Sequence, residues 1–133
     1  QDISPTHFVT ENSSFGKGSI RNLLVHIGTT YEYWIGKHAL NLAMDFTEYG
    51  SIKNAAEAGA YFLRIDLLLN RFMAAYAENY LADMEMTTKY GNVTESPFKL
   101  FSHVITHEFH HKGQILSLSR HLGYIPIDTD IIR

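Results

Sequence analysis

One helix, marked at both ends by its own residues, constrains this chain more than any other feature. Ser96-Pro97 opens it: serine can cap the first turn, and proline suits the first helical position, where its missing N–H costs nothing. Gly123 closes it, a common residue just past a last turn. Between them, four of the chain's eight histidines (His103, His107, His110, His111) fall within nine residues. His103, His107 and His111 are spaced four apart, so on a helix they form one slowly drifting stripe. Imidazoles at neighbouring positions of that stripe can share one metal ion, because Cβ atoms four apart lie roughly 5–6 Å from each other. His110 leaves the helix about 100° from His111 and is a poorer partner. A lone histidine on an apolar face is usually a hydrogen-bonded boundary residue. A pair at this spacing among four histidines points to a metal.

The string His107-Glu108-Phe109-His110-His111 also matches the H-E-x-x-H helix of zinc proteases. The extended form of that pattern requires glycine and histidine where this chain has Gln114 and Ser117. No glutamate follows Glu108 to serve as a third ligand. His121 lies about 15 Å further up the same helix, too far to share the ion. The protease reading is therefore set aside, with Asp128 and Asp130 the only formal candidates left to it.

Upstream, apolar positions Leu23, Leu24, Ile27, Tyr31, Trp34 and Ile35 recur at three and four, predicting a helix over 20–42 that Ser19 caps. His26 falls at the edge of its buried face. The stretch before it, 1–18, reads as an irregular ordered loop anchored by Phe8, Val9 and Phe15. After a turn over 44–50, a second helical pattern runs across 51–81. Residues 82–95 alternate polar and apolar around Gly91-Asn92, predicting a short strand or extended connection. Pro126 keeps the tail extended. These elements make one mostly helical domain, and 133 residues suffice for a single core.

Composition narrows the chemistry. A net charge of −3 without any lysine or arginine cluster argues against nucleic acid. No apolar run approaches the roughly 20 residues of a membrane span. The absence of cysteine removes disulfides, thiolate metal sites and a cysteine nucleophile, and agrees with a cytoplasmic location. The aromatic-rich helices (Tyr31, Tyr33, Trp34; Phe72, Tyr76, Tyr80) predict burial against a twin subunit, hence a homodimer.

Two runs together resemble the DinB/YfiT-like family, DNA-damage-inducible proteins linked to metal-dependent chemistry. The first is Gly18-Ser19-Ile20-Arg21-Asn22-Leu23-Leu24-Val25-His26-Ile27, and the second is His103 through Gln114-Ile115. The tail Leu122-Gly123-Tyr124-Ile125-Pro126 with Asp128 and Asp130 fits as well, so the resemblance covers nearly the whole chain. It implies an all-α four-helix bundle, with the family's first helix lying before Gln1. It also implies one divalent metal ion, zinc or nickel foremost and iron or copper as alternatives, held by His26, His107 and His111. Three neutral imidazoles leave a coordination position open for water or substrate. Relatives that resemble thiol S-transferases or maleylpyruvate isomerases suggest a small-molecule substrate and a low-molecular-weight thiol. A hydrolase-type reaction is also compatible, with Glu108 as general base. The alternative is a non-catalytic metal-binding stress or interaction protein. His103 is the rival ligand, expected to play a supporting role, and His7, His38, His110 and His121 are expected to be structural. Thr106 and Lys112 depart from the asparagine and arginine frequent in the family, so contacts around the ligands are expected to differ.

Overall fold

The structure, a computed structural model, describes residues 2–132. Ser4 accepts a hydrogen bond from the His7 N–H and, with Pro5 in the first position, starts a short helix α1 (Pro5–Val9) inside the predicted loop. Buried Phe8 pins it to the core. Its brevity hid it from any periodicity argument, since five residues complete little more than one turn.

Ser19 caps α2 (Ile20–Tyr31) by accepting from the Asn22 N–H at 3.0 Å. The predicted helix to residue 42 is not uniform: Glu32–Ala39 is a π-helical continuation, with bonds such as Leu40 N–H to Ile35 C=O. Two tertiary contacts accompany the wider turns. Buried Glu32 accepts from both the N–H and the hydroxyl of Thr47, and Met44 lies so close to Gly36 that a Cβ there would sit 2.8 Å from its Sδ. Asn41, at φ +53, then turns the chain away, in a region asparagine tolerates better than most residues.

A short 3₁₀ turn (Tyr49–Ser51) precedes α3 (Ala55–Ala75), which therefore starts and ends inside the predicted 51–81. Asn54 provides the cap, accepting from the Glu57 N–H at 2.9 Å. The predicted extended segment is an antiparallel hairpin, β1 (Met84–Thr88) with β2 (Gly91–Glu95), in the register Met84 to Glu95 and Thr88 to Gly91. Positive φ falls on Gly91 just after the Lys89-Tyr90 tip, where a glycine relieves the turn. Ser96 caps α4 (Pro97–His121), and Gly123 follows at φ +91, as the sequence pattern requires.

Among the described residues the fold is mostly helical: four α-helices with one small two-stranded sheet. Helix α2 is the shared neighbour, since α1, α3 and α4 all pack on it. Leu23, Val25, Ile27, Ile35, Tyr61, Phe72, Val104 and Leu118 fill the core. At Gly28 the Tyr61 ring of α3 comes so close that an added Cβ would lie 2.3 Å from it. Tyr31 and Phe72, two of the aromatics behind the expected twin subunit, are buried within the chain itself. The large apolar side chains that α3 leaves exposed are Leu63, Leu67 and Met73. Among the described residues no helix is long and apolar enough to cross a membrane.

Candidate metal centre

Packing of α2 on α4 carries His26 to the His107–His111 pair across 81 residues of sequence. One ring nitrogen from each of the three histidines lies within 4.8 Å of the others. The Nε2 atoms of His26 and His107 are 3.1 Å apart, and the His111 ring centroid is 4.7 Å from that of His26 and 4.5 Å from that of His107. Two nitrogens bound tetrahedrally to one ion at about 2.0–2.1 Å would be about 3.3 Å apart, so the donor set fits a shared cation.

The surroundings keep the rings of His26 and His107 neutral. Burial lowers His26 from its ordinary 6.5 to about 4, and the Lys17 ammonium and His111 add to this. Burial likewise lowers His107 to about 4, reinforced by His111, His26, His103 and His110. A neutral imidazole is the form that binds a metal, so at pH 7 neither ring needs to lose a proton first.

Second contacts set the orientation of the donors. The Gln114 amide oxygen can only accept, so at 2.7 Å it fixes the proton of His111 on Nδ1 and leaves Nε2 with its lone pair. Gly16, at φ +57, lets the 10–18 loop approach that same amide, where a Cβ would lie 3.2 Å from it. The Thr30 hydroxyl donates to the His26 carbonyl at 2.9 Å and sits 3.5 Å from His107 Nε2. The Nδ1 atom of His107 is buried without a hydrogen-bond partner among the described residues.

Glu108 occupies a different position from the three donors. One carboxylate oxygen accepts a short hydrogen bond from the Tyr31 hydroxyl, and the other pairs with Lys112 at 3.2 Å. Burial and the adjacent carboxylate raise the Tyr31 pKa strongly, which keeps the proton on tyrosine. His103 is exposed and rests edge-on against Trp34, 5.6 Å between centroids, outside the cluster. His7 bonds Tyr124, His121 leans on Phe15, His38 packs on Tyr33 and Trp34, and His110 is exposed. Thr106 turns its hydroxyl back onto the Ser102 and His103 carbonyls of its own helix. Lys112 also lies 4.8 Å over the Phe109 ring.

A cleft of about 440 Å³ opens beside the cluster, with His26 and Thr30 among its lining residues. Tyr33, Trp34 and Lys37 line it from the π-helical segment, and Lys89 and Tyr90 from the hairpin tip. The Lys89 N–H donates to the Tyr33 hydroxyl at 3.1 Å, and Tyr90 stacks on Trp34 with ring planes 16° apart. Sequence reasoning missed Thr30, Lys37, Lys89, Tyr90 and Gln114. Only Gln114 carried a local signal, three residues after His111 on the same helix.

The DinB family model matches residues 1–133, the whole chain. Among curated proteins, none matches.

Proposed function

Because the chain belongs to the DinB family, we propose that it is a divalent-metal-dependent enzyme acting on a small molecule at the His26–His107–His111 cluster. The observation that carries this reading is the convergence of three imidazoles from two helices at the edge of a solvent-open cleft. Zinc and nickel suit such a donor set best, and iron or copper are compatible with it. When bound, the ion would supply Lewis acidity and lower the pKa of a water or thiol at its open position. A low-molecular-weight thiol as cosubstrate would give a transferase; water would give a hydrolase. The chain offers no cysteine of its own for the thiol role.

The protein's residues divide the remaining work. Gln114 holds His111 in the ligating tautomer, and Thr30 sets its hydroxyl between the His26 carbonyl and His107 Nε2 at the cleft border. Glu108, with both oxygens engaged by Tyr31 and Lys112, clamps α2 to α4 in this reading and does not shuttle protons. The rival reading, a non-catalytic metal staple, calls for a closed site with four protein donors. Among the described residues only these three histidines gather.

Metal analysis of untagged protein, followed by a thiol-transfer screen with the metal found, tests the proposal. About one equivalent per chain is expected, falling to background in the His107→Ala, His111→Ala double variant. Equal metal content in the two proteins would overturn it.

A further inference from the structure

The cleft beside the histidines has a chemistry of its own. Its volume, about 440 Å³, lies in the range typical of small-molecule sites. Its walls are flat rings: Tyr33 and Trp34, Phe46 from the loop beyond the π-helical segment, and Tyr90 from the hairpin. Two lysines from separate elements converge on one of these rings. Lys37 Nζ lies 5.8 Å and Lys89 Nζ 5.1 Å from the Tyr33 centroid.

Among the described residues neither lysine has a carboxylate within ion-pair distance; the two ion pairs there are Lys99–Glu95 and Lys112–Glu108. Among the described residues no acidic side chain lines the cleft. In a chain of net charge −3, two unpaired cations gathered at one aromatic ring run against the background. A ring attracts an ammonium yet satisfies none of its N–H donors as an oxyanion would. Two like charges gathered this way also repel until an anion arrives.

We propose that this cleft binds a small organic anion with a flat apolar body, its carboxylate between Lys37 and Lys89 and its body against Trp34 and Tyr33. The far end of the bound molecule then faces His26 and the cluster. That orientation rests on the metal reading above, whereas the recognition of the anion does not.

Trp34 is the only tryptophan in the chain, so its fluorescence reports occupancy of the cleft directly. The probe is benzoate, with the uncharged benzamide as its counterpart, titrated into chelator-treated protein. Saturable quenching by benzoate and little by benzamide is expected. Lys37→Gln with Lys89→Gln should weaken benzoate at least about tenfold, the scale of losing a charge-assisted contact. Lys53→Gln, a lysine outside the cleft, should not. Circular dichroism identical to wild type establishes that the exposed-lysine variants are folded. The His107→Ala, His111→Ala double variant should still bind benzoate while failing to bind zinc. Equal quenching by benzamide, or benzoate binding indifferent to both lysines, overturns the proposal and leaves the metal reading standing. Benzoate binding in a wild type that takes up none of zinc, nickel, iron and copper sinks the metal reading and leaves this one standing.

Discussion

At the scale of single residues, the centre depends on where protons sit. Gln114 removes the choice of tautomer from His111 by accepting from Nδ1. Gln114→Leu keeps the bulk and deletes the acceptor, so zinc affinity should fall 10–100-fold in a competition titration, with the fold unchanged. At Gly28 the constraint is steric: Gly28→Ala drives a methyl into the Tyr61 ring and should cost about 1–3 kcal/mol, read from the urea midpoint. His107 and His111 were legible from spacing, because four residues return a helix to the same side. His26 was not, since nothing local separates an edge histidine from a ligand; only the family resemblance singled it out. Lys37 and Lys89 were invisible for a related reason, lying 52 positions apart in sequence and meeting only over Tyr33.

At the scale of elements, α2 and α4 carry one side of the donor set each, so a bound ion ties them together. Metal stabilises the folded state by RT ln(1 + [L]/Kd), and saturating zinc should raise the melting temperature of the wild type. His26→Ala should lose most of that rise and His103→Ala should keep it, by scanning calorimetry with and without chelator. A His103→Ala protein that no longer responds to zinc would exchange the roles of these two residues. Helix starts were readable wherever a capping side chain announces them, as Ser19 and Ser96 do. The π-helical segment was not, because apolar residues at three and four fit either helix. What distinguishes it is tertiary, the burial of Glu32 against Thr47 and of Gly36 against Met44. Helix α3 ends short of its predicted end at Tyr76, which leaves helical geometry and donates its hydroxyl to the Ala39 carbonyl.

At the scale of the whole molecule, proton binding and folding are coupled. His26 and His107 sit at about 4 when folded against an ordinary 6.5, so between those values the unfolded chain binds protons that the folded chain refuses. The stability of metal-free protein is therefore complete above about pH 6.5 and declines as the pH falls toward about 4. Urea midpoints of chelator-treated protein should be lower at pH 5 than at pH 7, and His26→Ala should flatten the difference. The general architecture was legible because long amphipathic helices declare themselves; the cleft was not, since it forms only where a hairpin tip meets a helix. The division of the donors also has a consequence in time. His107 and His111 are adjacent as soon as α4 forms, whereas His26, 81 positions before His107, joins them only once the intervening chain has been closed into a loop. Were an ion to bind, its attachment would split into an early, weak, two-toothed grip and a late third bond that locks it. A closure completed after the folding barrier slows escape more than it speeds arrival. In a stopped-flow experiment, zinc should lengthen the lifetime of the folded chain while leaving its rate of formation nearly unchanged.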